Sequence, residues 1–422
     1  MGSTYMKRVM DDYLESRLGS SGAVLIEGAK WCGKTRTAKE HAASVLYMQD
    51  PDQRVQNLKM AELRPTELLK GDTPRLIDEW QLAPILWDAV RFEVDKRNGA
   101  AGQFILTGSS AIPEKIIMHS GAGRISRMTL RPMSLFESLE SDGSVSLRDL
   151  FERTKDVSGC SEMSLEDVSY SIVRGGWPEL VGKDEKTAGG IISDYVNAIA
   201  HVDISTIDGV RRNPILVIDI LRSLSRNIST MASMSTIRDD VSGGGTGVSE
   251  KTMASYIDAL RRLFVIEDVP AWSPSLRSKS AMRATPKRNF VDPSIAAAMF
   301  HSSSRGLMND LNTMGFLFES LCVRDLRVYA QAIEGKIFHY RDRTNLEVDA
   351  IICLFDGRWG AAEIKLGEDK VDEAAKNLLR MRDKIDTDKM EMPSFLMVIT
   401  SSGYAYERKD GVLVVPIGCL RN

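Results

Sequence analysis

The chain lacks the features that would place it in a membrane, outside the cell or on bulk nucleic acid. No apolar run in its 422 residues approaches the ~20 needed to span a bilayer. The opening Met1-Gly2-Ser3-Thr4-Tyr5-Met6 has neither a secretory pattern nor the sixth-position Ser/Thr of a myristoylation signal, so a cytoplasmic protein without membrane partners is expected. Five cysteines, Cys32, Cys160, Cys322, Cys353 and Cys419, stand apart with no C-x-x-C pair, so neither a zinc site nor a disulfide framework is indicated. Charge of one sign is lacking too. With 55 Lys and Arg against 58 Asp and Glu, the net charge of −3 gives no general affinity for nucleic acid, and any such contact needs a local patch. What is plentiful is core material, 43% hydrophobic residues over a length that predicts two to four domains at roughly 150 residues each.

The most specific stretch follows the apolar run Ala23-Val24-Leu25-Ile26. Gly28, Ala29, Lys30, Trp31, Cys32, Gly33, Lys34 and Thr35 match the phosphate-loop pattern G-x-x-x-x-G-K-[ST] without a gap. Glycines at both ends let successive N–H groups aim at one phosphate. Lys34 then neutralises the β- and γ-phosphates, Thr35 opens a helix and offers its hydroxyl to Mg²⁺, and Arg36 completes the nucleotide-binding set.

Companions to such a loop lie downstream. Arg75-Leu76-Ile77-Asp78-Glu79 reads as a strand ending in two carboxylates, Asp78 for Mg²⁺ and Glu79 to polarise an attacking water. Residues 81–96 space Leu82, Leu86, Val90 and Val94 four apart, predicting a helix on a sheet. Residues 103–110 form a buried strand ending in Thr107, Gly108, Ser109 and Ser110, whose hydroxyls either sense the γ-phosphate or make a turn. Gly123-Arg124 leads into a strand whose first arginine is a candidate finger for a neighbouring subunit's γ-phosphate, and so for self-association.

The ordered series GAKWCGKT, RLIDEWQ, QFILTGSS, GRISRMTLRPMSLFE and RGGWPE resembles the prokaryotic AAA+-type ATPases that carry a C-terminal domain of unknown function. The resemblance implies an AAA+-like α/β sheet, ATP and Mg²⁺ as cofactors, Asp78 on the metal, Glu79 as base and Thr107 or Ser109 as sensor. It leaves open whether Arg124 acts in cis or in trans. Arg174, in the Arg-Gly-Gly-Trp-Pro-Glu stretch, is either a second sensor or part of a turn anchored by Trp177 and Pro178.

Residues 137–169, rich in Ser, Glu and Asp, read as a connector. Helical periods at 215–224 and 253–264, with Ser249 as an N-cap and a short strand at 265–269, outline a winged helix, which the resemblance also implies. Arg277, Lys279, Arg283, Lys287 and Arg288 form a basic stretch without interleaved aromatics, either a DNA contact or a solvated loop. Near the C-terminus, a helix carries Glu319 and two strands carry Asp349 and Glu363-x-Lys365, expected on one side of a hairpin. This set resembles the PD-(D/E)XK nuclease core, a restriction-endonuclease-like fold. It implies a second divalent metal, Mg²⁺ or Mn²⁺, at Glu319, Asp349 and Glu363, with Lys365 orienting or deprotonating water. The expected layout is an ATPase domain at 1–136, a helical connector at 137–210, a winged helix at 211–275 and a nuclease-like domain at 276–422. DNA is a candidate partner, and a nucleotide switch that cleaves nothing is the rival reading.

Overall fold

The computed structural model describes residues 5–110, 119–242, 247–274 and 284–422. They form two compact units, one of Met1–Pro132, Asp203–Arg211 and Ala259–Val265, the other of Met133–Val202, Arg212–Asp258 and Ile266–Asn422.

The first unit is a five-stranded parallel sheet in the order β2-β3-β4-β1-β5. Its strands are β1 (Ala23–Glu27), β2 (Ser44–Tyr47), β3 (Arg75–Asp78), β4 (Phe104–Gly108) and β5 (Ile125–Thr129). The central β1 and β4 are buried almost throughout, as expected where helices cover both faces. Helices α1 (Val9–Ser20), α2 (Lys34–Glu40), α3 (Arg54–Leu63) and α4 (Ile85–Lys96) complete the unit. Register aligns Ile26, Thr107 and Asp78 across three neighbouring strands, at the end where β1 runs into the phosphate loop.

Helix α4 begins four residues later than its periodicity predicts. Pro84 lacks an N–H and occupies the cap, so 80–82 form a separate 3₁₀ turn and Leu82 is left 40% exposed. Helix α3 escaped detection because it buries only Asn57 and Ala61, which leaves no apolar stripe to read.

The second unit holds a seven-stranded mixed sheet in the order β7-β12-β13-β11-β10-β9-β8. Strands β8 (Gly335–Arg341), β9 (Glu347–Leu354) and β10 (Trp359–Ile364) run as an antiparallel meander; β11 (Leu396–Thr400) lies parallel to β10 after the helix Val371–Arg382. Strands β12 (Gly403–Glu407) and β13 (Leu413–Pro416) follow, and β14 (Leu420–Arg421) pairs separately. The helix Leu311–Ala332 packs on β8, β9 and β10. The 137–169 stretch is more than a connector: β6 (Val145–Ser146) pairs with β14, and β7 (Gly159–Ser161) extends the large sheet at β12. Strands of two and three residues carry no alternation, so composition alone hid them.

Between these lie helices Pro214–Arg226, Met234–Ser242 and Glu250–Arg262. Ser249 caps the last, accepting from the Thr252 N–H at 3.1 Å. The strand expected at 265–269 is reduced to isolated antiparallel bridges, Ile266 with Phe290 and Val269 with Lys287. The basic stretch is corrected in part. Lys287 and Arg288 are 1% and 4% exposed, both engaged with carboxylates, while Arg277, Lys279 and Arg283 lie outside the described residues.

Candidate active site

The phosphate loop owes its shape to three residues of positive φ, Gly28 at 151°, Trp31 at 71° and Gly33 at 101°. Any side chain at Gly28 would put its Cβ 2.1 Å from the Leu130 carbonyl, so only glycine fits. Cys32 is buried, its thiol donating to the same carbonyl at 3.2 Å. The Lys34 ammonium curls beneath the loop and donates to the Gly28 and Ala29 carbonyls at 2.9 and 2.6 Å. Lys30 reaches Asp203 at 2.5 Å, and Arg36 pairs with Glu40 one turn along α2.

Two hydroxyls converge on one carboxylate beside the loop. Thr35 Oγ1 and Thr107 Oγ1 each donate to Asp78 Oδ1 at 2.6 Å. Asp78 is fully buried, and its Oδ2 has no hydrogen-bond partner among the described residues. A buried acceptor left unpaired is costly, and it fits a cation held beside the phosphates. The next residue, Glu79, has φ 55°, which turns its side chain off the strand. Its Oε2 accepts from Ser109 Oγ at 3.2 Å and from the Gln81 amide. Thr107 therefore pairs with Asp78 and Ser109 with Glu79, a distinction that the sequence left open.

Two arginines are placed differently from the third. Arg124 stands beside the start of β1, its carbonyl accepting from the Ala23 N–H at 3.0 Å, while the phosphate loop follows the end of that strand. Five residues at about 3.3 Å each separate the two by about 16 Å, so Arg124 does not reach this chain's own loop. Its guanidinium bonds Asp95 at 2.8 Å. Arg174 is buried, bound to Glu140 and to the Gly175 carbonyl at 2.9 Å. Arg8 went unnoticed. From the cap of α1 it donates to the Cys32 carbonyl at 3.0 Å and the Arg131 carbonyl at 2.7 Å, bracing the loop from below. Nothing local marks that role, because it depends on contacts 24 and 123 residues away.

In the second unit, the Ala350–Ala362 pairing places Asp349 opposite Glu363 on one face, as the period of two predicts. The Lys365 ammonium bonds Glu363 at 2.6 Å and Asp349 at 3.2 Å. Burial lowers its basicity, but those two carboxylates outweigh this and raise the Lys365 pKa. Burial pushes Glu319 up to about 8. Burial and the adjacent Asp349 push Glu363 well above the carboxylate range. Burial also disfavours ionised Asp349, yet Lys287 and Lys365 hold its pKa below the usual value. A cavity of about 390 Å³ opens here, lined by Glu347, Asp349, Glu363, Lys365, Asn377 and Arg380 among others.

The three carboxylates do not fit a metal as they stand. A second lysine, Lys287, places its ammonium beside two of them, 2.7 Å from Glu319 and 2.9 Å from Asp349, and 3.3 Å from a further carboxylate, Glu347. Among the described residues, no three His, Cys, Asp or Glu side chains are arranged to hold a metal ion.

A parallel sheet with a phosphate loop after its first strand, and a buried carboxylate on the third, defines a P-loop ATPase domain. Residues 20–139 match the family described as AAA domain. Residues 165–306 and 314–420 match two domains of unknown function, DUF8612 and DUF4143. None of the curated proteins matches the chain. Similar solved structures include the Walker-type ATPase PABY2304 of Pyrococcus abyssi, at 17% identity and TM-score 0.45, covering 70% of this chain and 96% of that one. Drosophila ORC bound to DNA follows at 12% identity and TM-score 0.18, covering 69% and 85%. No helix among the described residues is long and apolar enough to cross a membrane.

Proposed function

We propose that the chain is a Mg²⁺-dependent ATPase whose nucleotide cycle controls the engagement of DNA by its C-terminal module. The observation that carries the first half is the convergence of Thr35 and Thr107 on Asp78, whose Oδ2 has no partner among the described residues, with Glu79 and Ser109 alongside. Thr35 and Asp78 would hold Mg²⁺, which would supply neutralisation of phosphate charge. Lys34 leaves its loop carbonyls to bond the phosphate oxygens, Glu79 orients the attacking water, and Ser109 fixes the Glu79 carboxylate. Arg124 fits a finger offered to a neighbouring subunit, since it lies far from its own loop. The Glu79→Gln variant should bind ATP and release phosphate about 100-fold more slowly than wild type. Equal rates would remove Glu79 from the role of base.

Support for a DNA-facing C-terminal module comes from its meander, its crossover helix and the meeting of Asp349, Glu363 and Lys365 at one cavity. In this cytoplasmic protein the chain divides at 136, 210 and 275, with a winged-helix-like segment between ATPase and nuclease-like modules. The rival is a nucleotide-dependent switch that binds a protein partner and cleaves nothing. Phosphate release measured with and without single- and double-stranded DNA separates them. Stimulation supports the DNA reading, and indifference to every DNA favours the switch.

A further inference from the structure

We propose that Lys287 is the resident cation of the C-terminal acidic cluster, and that divalent metal is excluded from that cluster while the segment bearing Lys287 is docked. The cluster holds four carboxylates, of Glu319, Glu347, Asp349 and Glu363, and two ammonium groups bridge them. Asp349 links the two: Oδ1 faces Lys287 at 2.9 Å, while Oδ2 faces Lys365 at 3.2 Å and accepts from the Ile364 N–H at 2.9 Å. Lys287 Nζ thus occupies the space among Glu319, Glu347 and Asp349 that a divalent ion would need, because oxygen ligands must approach such an ion to about 2.0–2.6 Å.

The ammonium is not a surface side chain that has fallen inward. Lys287 is 1% exposed, and its backbone exchanges two 2.9 Å hydrogen bonds with Val269. The next residue is fastened as firmly. Arg288 N–H donates to the Thr230 carbonyl at 2.7 Å, its Nε to the Ala232 carbonyl at 2.9 Å and its Nη1 to Asp268 at 2.8 Å. Moving Lys287 out therefore requires breaking the Val269 bridge and the Arg288 anchors together. Leaving it in place keeps the carboxylates paired and closed to metal.

The proposal does not depend on ATP hydrolysis, and Mn²⁺ serves as the probe. Mn²⁺ is titrated into the full chain without nucleotide, free ion is followed by paramagnetic resonance, and thermal melting is recorded in parallel. Wild type and wild type carrying Glu363→Gln or Asp349→Asn should bind the same number of ions, because the cluster takes none. Lys287→Met should bind one more ion per chain than wild type and lose that ion when Asp349→Asn is added, since Asp349 is one of the carboxylates that Lys287 faces. Its melting temperature should rise with Mn²⁺ by more than that of wild type, since the metal replaces the missing charge. The proposal is overturned if Glu363→Gln or Asp349→Asn removes an ion from the otherwise wild-type chain, or if folded Lys287→Met gains none. Should Lys287→Met fail to fold, the comparison on the wild-type background still decides.

Discussion

At the scale of single residues, the phosphate loop rests on contacts with almost no slack. Gly28 sits at φ 151° against the Leu130 carbonyl, so Gly28→Ala must both strain the backbone and push β5's continuation away. We expect it to cost about 1–3 kcal/mol and to abolish ATP binding, read by thermal melting and by fluorescence of a bound nucleotide analogue. Asp78 offers a second residue-level test. Asp78→Asn keeps the shape but removes the negative charge and replaces one acceptor oxygen by an NH2 group beside Thr35 and Thr107, so ATP affinity should lose its dependence on Mg²⁺. Titration of nucleotide with Mg²⁺ or with EDTA checks this. The loop and both carboxylates were legible because their chemistry is written in consecutive residues. Arg8 and Lys287 were not, since a lone basic residue becomes informative only when its distant partners are known.

At the scale of elements, α1 is tied to the end of α2 by an ion pair between Asp11 and His41, with 3.0 Å between Oδ1 and Nε2. The hydrogen bond to Asp11 raises the His41 pKa above its ordinary 6.5, outweighing burial. Burial works against ionised Asp11, but the His41 bond and the Arg8 N–H leave its pKa lowered. A histidine whose pKa rises on folding stabilises fully below its unfolded value and ceases to as pH climbs through the folded one. Stability of the first unit should therefore fall on going from about pH 6.5 upward through the His41 titration, and His41→Asn should flatten that limb in denaturant titrations at several pH values. Elements with a clear stripe or a buried run, such as α4 and β4, were readable from sequence. Helix α3, with two buried residues, and β6 and β7, with two and three residues, were too faint or too short.

At the scale of the whole molecule, the Arg-Gly-Gly-Trp stretch acts as a clamp within the second unit. Gly176 carries no side chain because a Cβ would stand 2.1 Å from the Met133 carbonyl, and its N–H donates to Asp292 at 2.9 Å. Arg324, fully buried, bonds Asp292 at 2.9 Å and Asp325 at 2.7 Å, and Asp325 in turn accepts from the Leu135 N–H at 2.9 Å. Replacing Arg324 by Met leaves two buried carboxylates uncompensated, at a cost of about 3–5 kcal/mol, measurable as a lowered denaturation midpoint. By itself the sequence determined the phosphate loop, the strand that ends in Asp78, the α/β sheet around them and the placing of Asp349 and Glu363 on one side of a hairpin, because each is encoded in local spacing or a period of two. Only the tertiary structure decided that Arg124 lies at the far end of the sheet from its own loop, that residues 159–161 extend the C-terminal sheet while residues 145–146 pair separately with β14, and that Lys287 fills the acidic cluster. Those outcomes depend on which distant segments meet, and the free energy that selects them, burial of apolar surface and pairing of buried charge, leaves no trace in the spacing of neighbouring residues.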